Sequence, residues 1–466
     1  MRRLELVLAA AALVAVVWPV VFGVRPKRGV MAVTLLVGVA AQLQVEGFRW
    51  QMIPLYLTCV GLAIGDVIFI ERELRWTNRF ARGVFGTAGI LAAAAIPLLL
   101  PVPLIPVPSG GMPVGTVTVE VTDFDRDELY GENPGGPRRF VAQVWYPAAE
   151  ARPGAEDLWT DDFDVVAPAL SRKLGLPSWF LGHTRYTRRN SQRSAPIAPG
   201  SFPVIVYSHG WTGFRSVALT QMEALASNGY IVIAPDHAFG AVATRFPDGE
   251  VVRYDPDALP DERSSTAQER QKARENLVRT FAEDVIAVLD ELELGVEGQF
   301  ANFVGAADLS KVGVIGHSTG GGAAIWVCLV DERCDAVVAF DPWVEALPER
   351  ILRIPASRPQ LFMRSDEWRG TQNDAMLRGI AARGSSRTYW LGVQGAGHND
   401  FTLAPLLTSW GSRFGFTGSI GAGRMLQIVD NYLVGFFDVY LLGTGSAALD
   451  SVAYPEVSME RIEPRS

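Results

Sequence analysis

Apolar and polar positions divide the 466-residue chain into two regions of different character. Residues 1–106 are overwhelmingly apolar, whereas the following residues alternate short apolar runs with segments of mixed charge. Long apolar runs without a polar face are typical of helices that cross a bilayer, and alternation is typical of a soluble core. We therefore expect a transmembrane helical segment over 1–106, a Pro/Gly-rich linker over 107–115 and a soluble domain over 116–466.

The first region contains four apolar stretches: Leu4–Val24, Val30–Leu43, Met52–Ile70 and Val84–Pro106. The first, third and fourth approach the ~20 residues that a membrane-spanning helix needs, and the second is short. The start of the chain resembles a signal peptide, but no small-residue cleavage site is evident and further apolar stretches follow at once. The pattern predicts three to four spans, the first of which is retained.

The charges of the loops between these stretches predict their orientation. The first loop carries Arg25, Lys27 and Arg28, and the third carries Arg72, Arg75, Arg79 and Arg82. The N-terminus and the second loop carry fewer cations. Because cation-rich loops stay in the cytoplasm, we expect a multi-pass plasma-membrane protein whose soluble domain is extracytoplasmic.

Beyond residue 116, strand-like runs alternate with segments of helical spacing. Phe202–Ser208 is a nearly continuous apolar run, which is typical of a strand buried on both faces. Residues 273–294 place apolar side chains at helical spacing. This alternation predicts an α/β domain with a mostly parallel central sheet and helices on both faces.

One motif gives the second region its predicted chemistry. Gly316-His317-Ser318-Thr319-Gly320 follows an apolar strand and opens a small-residue segment of helical character. Gly-x-Ser-x-Gly in this context is the nucleophile elbow of an α/β-hydrolase fold, because the flanking glycines permit a sharp strand-to-helix turn. Ser318 is the predicted nucleophile, and the Thr319 N–H is a predicted oxyanion donor. The segments 157–197 and 239–266 interrupt the alternation and are predicted lid-like insertions or surface decoration.

A serine nucleophile needs a histidine base and an orienting carboxylate, in the chain order Ser, Asp or Glu, His. His398 is the only one of the five histidines that follows Ser318. Asp341 and Asp366 each follow a predicted strand, and spacing leaves both open as the acid. The strand ending at Ser208 leads into His209-Gly210-Trp211, so the Trp211 N–H is the predicted second oxyanion donor. The predicted substrate-pocket residues are Trp343, His317 and Phe214.

Net charge and cysteine content limit the partners and the metal or disulfide sites that the chain is expected to have. The formal net charge is −8, with acidic residues spread along the chain, so no nucleic-acid partner is expected. Three cysteines form neither a metal site nor a disulfide framework. Cys59 lies in an apolar stretch. Cys328 and Cys334 flank a helix end and a strand start, and they either bridge in an oxidising compartment or remain thiols.

Several segments together resemble the plasma-type platelet-activating-factor acetylhydrolases, or group VII phospholipases A2, over residues 110–445. They are Val206–Gly210 with Gly213–Arg215, Leu225–Val232, Gly316–Gly321, Asp331–Cys334 through Phe340–Trp343, and Gly397-His398 with Asp400–Thr402. In that family the acid follows the strand after the elbow helix, which favours Asp341 over Asp366. Thr319 and Trp211 depart from the family's usual aromatic and aliphatic residues, respectively.

The resemblance implies a serine esterase that uses no metal or cofactor and acts on short-acyl or lipid esters. With the apolar segment, it indicates a bacterial, membrane-anchored member in contact with the lipid bilayer. Two alternatives remain open. The first is a general short-chain carboxylesterase or polyester hydrolase without phospholipid preference, and the second is a catalytically silent membrane-bound sensor.

Overall fold

The computed structural model describes residues 1–24, 27, 29–68, 76–132, 134–150, 157–261, 263, 265–445, 447–450 and 454–464. Arg25, Arg28, Arg72 and Arg75, on which the predicted orientation depends, lie outside this part of the chain, whereas Arg79 and Arg82 lie in the helix Trp76–Leu99 and not in the predicted third loop. The chain divides into two compact units. The helical unit comprises Met1–Pro103, Gly182–Tyr186 and Leu407–Trp410, and the sheet unit comprises Leu104–Leu181, Thr187–Leu406 and Gly411–Ser466.

The helical unit contains α1 (Arg3–Phe22), α2 (Val30–Val45), α3 (Ile53–Ile68) and α4 (Trp76–Leu99). Arg3–Phe22, Trp50–Ile68 and Phe80–Leu99 are long and apolar enough to cross a membrane, and α2 is shorter. Glycines bring α4 close to α1, since a Cβ at Gly83 or Gly86 would lie 2.6 Å from the side chain of Val20 or Val16, respectively.

One buried ion pair lies among these apolar helices. Arg49 donates to the Glu5 carboxylate from Nε at 2.7 Å, and both side chains are fully buried. Nη1 of Arg49 donates to the Leu100 carbonyl at 3.0 Å. The pair satisfies two charges that an apolar environment would otherwise penalise severely.

The sheet unit is built on ten strands in the order β12-β11-β10-β9-β8-β4-β5-β2-β1-β3. Neighbours from β11 through β5 are parallel, while β12, β2 and β1 run antiparallel to their inner neighbours. A separate ribbon pairs β6 with β7. The strands are β1 (Val114–Asp127), β2 (Pro137–Pro147), β3 (Gln192–Arg193), β4 (Phe202–Ser208), β5 (Ile231–Asp236), β6 (Ala243–Arg245), β7 (Val251–Arg253), β8 (Ala307–His317), β9 (Cys334–Phe340), β10 (Gln360–Arg364), β11 (Thr388–Val393) and β12 (Val457–Ile462).

Helices cover both faces of the sheet, as the alternation of strands and helices predicts. In β4, Val204 and Val206 pack in the cluster that contains α7 (Ala267–Glu293) and α8 (Thr319–Val330). Ile205 and Tyr207 pack in the cluster that contains α6 (Leu219–Ser227) and α12 (Ala422–Phe437). The helices of this unit are α5 (Phe163–Lys173), α6 (Leu219–Ser227), α7 (Ala267–Glu293), α8 (Thr319–Val330), α9 (Glu349–Leu352), α10 (Gln372–Arg383), α11 (Ala404–Leu407), α12 (Ala422–Phe437) and α13 (Ala447–Asp450).

The two segments predicted as insertions have structure of their own. Residues 157–197 contain α5 and the 3₁₀ helix Phe180–Tyr186. Residues 239–266, of which 262 and 264 lie outside the described residues, contain the β6–β7 ribbon. Cys328 and Cys334 form a disulfide between the end of α8 and the start of β9, while Cys59 is a buried thiol. The disulfide resolves the alternative that the cysteine spacing left open.

Candidate active site

Ser318 lies at the turn between β8 and α8, where the motif predicts it. Its backbone has φ 56° and ψ −118°, a strained conformation for a residue with a side chain. Small neighbours permit the turn, because a Cβ at Gly316 would lie 2.0 Å from the Gly320 carbonyl oxygen. The Ser318 N–H donates to the Phe340 carbonyl at 3.0 Å, which fixes the turn against β9.

His398 follows β11 and meets the carboxylate that follows β9. Its Nδ1 lies 3.1 Å from Oδ2 of Asp341. The fully buried Asp341 also accepts from the backbone N–H of Ser365 at 2.8 Å and from its hydroxyl at 2.6 Å. These donors hold the carboxylate toward the imidazole, and the φ of 41° at Asp341 shows that its backbone is constrained as well.

Asp366, the alternative acid, lies elsewhere. Its Oδ2 accepts from the Gly395 N–H at 2.6 Å, and Arg369 binds its other oxygen. The side chain is 40% exposed. Of the two candidate acids, the structure therefore brings Asp341 to His398 and leaves Asp366 bracing the loop before it.

Two rings flank the imidazole of His398. The Trp368 indole stacks on it at 4.6 Å between centroids with 9° between planes, and its Nε1 donates to the Pro342 carbonyl at 3.2 Å. His317 lies on it at 4.5 Å, with Nε2 2.9 Å from the His398 carbonyl oxygen. Burial, and secondarily the neighbouring His398, holds the pKa of His317 well below its usual range, so it donates as a neutral ring. No sequence motif marks Trp368.

The predicted oxyanion donors belong to the loop after β4 and to the start of α8. A Cβ at Gly210 would lie 3.1 Å from the Ser318 Cβ, so the loop after β4 passes directly beside the elbow. Thr212 and Gly213 donate their N–H groups to the Gly240 and Gly210 carbonyls, whereas the Trp211 N–H has no acceptor among the described residues. Thr319 begins α8, and first-turn N–H groups lack an intrahelical acceptor.

Aromatic side chains border this region. The backbone N–H of Trp343 donates to the Ser318 carbonyl at 2.8 Å, and the Arg274 guanidinium lies 5.7 Å from the Trp343 ring centroid. Trp211 packs edge-on against Tyr254 at 5.9 Å. Phe214, a predicted pocket residue, is buried against Trp159 in the core. No group of three or more potential metal ligands occurs in the described part of the chain.

A family model described as platelet-activating factor acetylhydrolase, isoform II, matches residues 105–442. The chain belongs to this family. A platelet-activating factor acetylhydrolase from Cavia porcellus is 26% identical over 326 residues, 64% of this chain and 72% of that protein. A probable 1-alkyl-2-acetylglycerophosphocholine esterase from Arthroderma benhamiae is 23% identical over 394 residues, 76% of this chain and 93% of that protein.

A solved structure points to the same chemistry. Ferulic acid esterase from Streptomyces cinnamoneus superposes with a TM-score of 0.62 and 26% sequence identity, covering 77% of this chain and 99% of that one. The protein is a serine carboxylic ester hydrolase with an α/β-hydrolase fold, as the resemblance in its sequence implies.

Proposed function

We propose that Ser318, His398 and Asp341 form the catalytic triad. The hydrogen bond between His398 and Asp341, one strand away from the serine elbow, carries this assignment. Ser318 Oγ attacks the ester carbonyl, and His398 accepts its proton and returns it to the leaving alcohol. The N–H groups of Trp211 and Thr319 bind the oxyanion, and water then cleaves the acyl-enzyme by the same steps.

We propose short-acyl glycerophospholipids or related lipid esters as substrates. The family and the apolar helices support this proposal, because helices that enter a bilayer would keep the site near lipid. The similarity to a ferulic acid esterase, with the aromatic border of Trp211, Tyr254 and Trp343, favours a second candidate. That candidate is a general carboxylesterase, acting on small esters or polyesters without phospholipid preference.

The same proposal places the protein in the plasma membrane with its sheet unit outside the cytoplasm. The loop charges of the sequence support this orientation. The Cys328–Cys334 disulfide supports it independently, because disulfides persist in oxidising compartments.

The test uses the full chain in detergent. A fluorophosphonate probe should label the wild type and not Ser318→Ala, whose kcat should fall by about 10⁴ or more. As a control, Ser310→Ala removes an exposed hydroxyl on β8, the strand that leads to Ser318, and should retain activity. Undiminished turnover by Ser318→Ala would refute the triad.

A substrate panel separates the two candidate functions. We expect a 2-acetyl glycerophosphocholine presented in mixed micelles to exceed p-nitrophenyl acetate and methyl ferulate in kcat/KM. Efficient cleavage of the two small esters with none of the phospholipid would instead identify a general carboxylesterase.

A further inference from the structure

A second hydrogen-bonded Ser-His-Asp network lies in the sheet unit, outside the proposed triad. The Ser208 hydroxyl, at the end of β4, lies 2.8 Å from Nε2 of His237, which follows β5. Nδ1 of His237 lies 3.0 Å from Oδ2 of Asp284 on α7. Arg138 donates to both oxygens of Asp284, at 3.1 and 2.7 Å, and Arg126 donates to Oδ1 at 2.9 Å.

The two arginines determine which atom donates and which accepts in each hydrogen bond of this network. They hold the pKa of Asp284 well below its usual range even though burial opposes this, so the carboxylate accepts. Burial lowers the pKa of His237, which is therefore neutral at pH 7. Its Nδ1–H donates to Asp284, leaving Nε2 to accept from the Ser208 hydroxyl.

The Ser208–His237–Asp284 network is buried and has no access to a substrate. Ser208, His237 and Asp284 are each 0% exposed, and the Phe281 ring stacks on His237 at 3.8 Å between centroids. A buried, fully hydrogen-bonded network of this kind rigidifies its surroundings.

His237 is bonded to the loop that carries Trp211. The His237 N–H donates to Nε2 of His209 at 3.1 Å, so the other nitrogen of His209 carries the proton and donates to the Gly210 carbonyl at 2.8 Å. Burial, and secondarily His237, lowers the pKa of His209, consistent with this neutral tautomer.

Backbone bonds join the same loop to the segment after His237. Thr212 donates to the Gly240 carbonyl at 2.8 Å, and Val242 donates to the Gly213 carbonyl at 2.8 Å. The His237 carbonyl in turn accepts from Gly240 at 2.7 Å. The loop is strained, because Thr212 has a φ of 58°, and it needs such bonds to persist.

We propose that the Ser208–His237–Asp284 network is a positioning device that holds residues 209–213 so that the Trp211 N–H meets the developing oxyanion. This inference rests on the proposed function of Ser318. Ser208, His237 and Asp284 are positioning residues that act through the loop and touch no substrate. Oxyanion donors act only at the correct distance from the reacting oxygen, so a loosened loop lowers kcat more than it weakens substrate binding.

The test compares Ser208→Ala with Ser208→Thr in the detergent-solubilised full chain. Ser208→Ala removes one hydroxyl and leaves the ion cluster intact, whereas Ser208→Thr keeps the hydroxyl. We expect Ser208→Ala to lower kcat about tenfold with KM within about twofold of wild type, and to slow fluorophosphonate labelling of Ser318 in parallel. Ser208→Thr should restore both rates to within about threefold of wild type.

The control is Tyr230→Phe, which removes another largely buried hydrogen bond, 2.7 Å from the Tyr230 hydroxyl to Asp438. It should lower the thermal midpoint comparably and leave kcat unchanged. If the wild type is active and Ser208→Ala has the same kcat, the inference is wrong and the proposed function stands. The same holds if Tyr230→Phe loses as much kcat as Ser208→Ala. A wild type without esterase turnover would overturn the proposed function and this inference together.

Discussion

Backbone strain at single residues marks the proposed triad. Ser318 and Asp341 follow adjacent strands, and both have positive φ values, 56° and 41°, although neither is glycine. Such conformations cost free energy and persist only where surrounding bonds enforce them. Here the elbow N–H is held by β9, and the Asp341 carboxylate is held by Ser365. The Ser318 backbone and the Asp341 carboxylate are therefore held in place before any substrate binds.

The acid assignment predicts opposite outcomes for two matched variants. Asp341→Asn should lower kcat by about 10⁴, because the amide no longer stabilises the imidazolium or fixes its tautomer. Asp366→Asn should retain kcat within about threefold, since it removes only a brace of the Gly395 loop. Steady-state kinetics on p-nitrophenyl acetate measure both. Loss of activity in Asp366→Asn alone would reverse the assignment.

Trp368 illustrates what sequence patterns could not supply. Ser318 follows from its motif and His398 from elimination, but Trp368 belongs to no motif and reaches the imidazole only through the fold. Stacking of an indole on an imidazolium stabilises the charge by about 1 kcal/mol. Trp368→Leu should therefore lower kcat about fivefold, whereas Trp368→Phe should keep most of the activity because it retains a stacking ring. Equal kinetics for Leu and wild type would contradict a role for the stack.

Three buried histidines predict how stability depends on pH. Burial lowers the pKa values of His209, His237 and His317 below those of the unfolded chain, so the unfolded state binds more protons in acid. The contribution of these neutral histidines to the free energy of unfolding is fully present above pH ~6.5. It is lost as the pH falls toward their folded pKa values, by about 1.4 kcal/mol per group and pH unit. Urea unfolding of the wild type and of His209→Gln at pH 7.5, 6 and 5 measures this as the difference between the two, and a difference that does not shrink as the pH falls would contradict it.

At the scale of elements, the pattern predicted the central strands better than the edges. β4 has the predicted bounds because a strand buried on both faces is apolar throughout. α7 begins at Ala267, before the predicted start at residue 273, because Thr266 and Glu269 form a capping box ahead of its apolar stripe. α5, α10 and β12 were missed, since partly exposed elements mix polar and apolar residues without a clear period.

The disulfide joins α8, which begins at Thr319, to β9, the strand that Asp341 follows. It closes a short loop, and the chain-entropy model gives such a crosslink about 2 kcal/mol of stability. Cys328→Ser with Cys334→Ser should lower the free energy of unfolding by about that amount and leave KM unchanged. Reductant should do the same to the wild type and nothing further to the double variant. A double variant as stable as wild type would contradict this.

For the whole molecule, composition alone does not decide which helices enter a membrane. Ala422–Leu442 is as long and apolar as a span, yet α12 within it packs on the sheet through Ile428, Val429 and Leu433. The helices of residues 1–103 instead expose large apolar side chains, among them Val7, Val33 and Leu57. Exposed apolar surface of that extent requires lipid or a protein partner, whereas the buried face of α12 requires neither.

The predicted orientation can be tested on intact cells that express the full chain. If the segments with Arg25–Arg28 and Arg72–Arg82 stay on the cytoplasmic side, the sheet unit lies outside, where an added protease reaches it without permeabilisation. A cytosolic marker cleaved only after permeabilisation is the control. Full protection of the sheet unit in intact cells would place it in the cytoplasm and refute the orientation, while leaving the esterase proposal untouched.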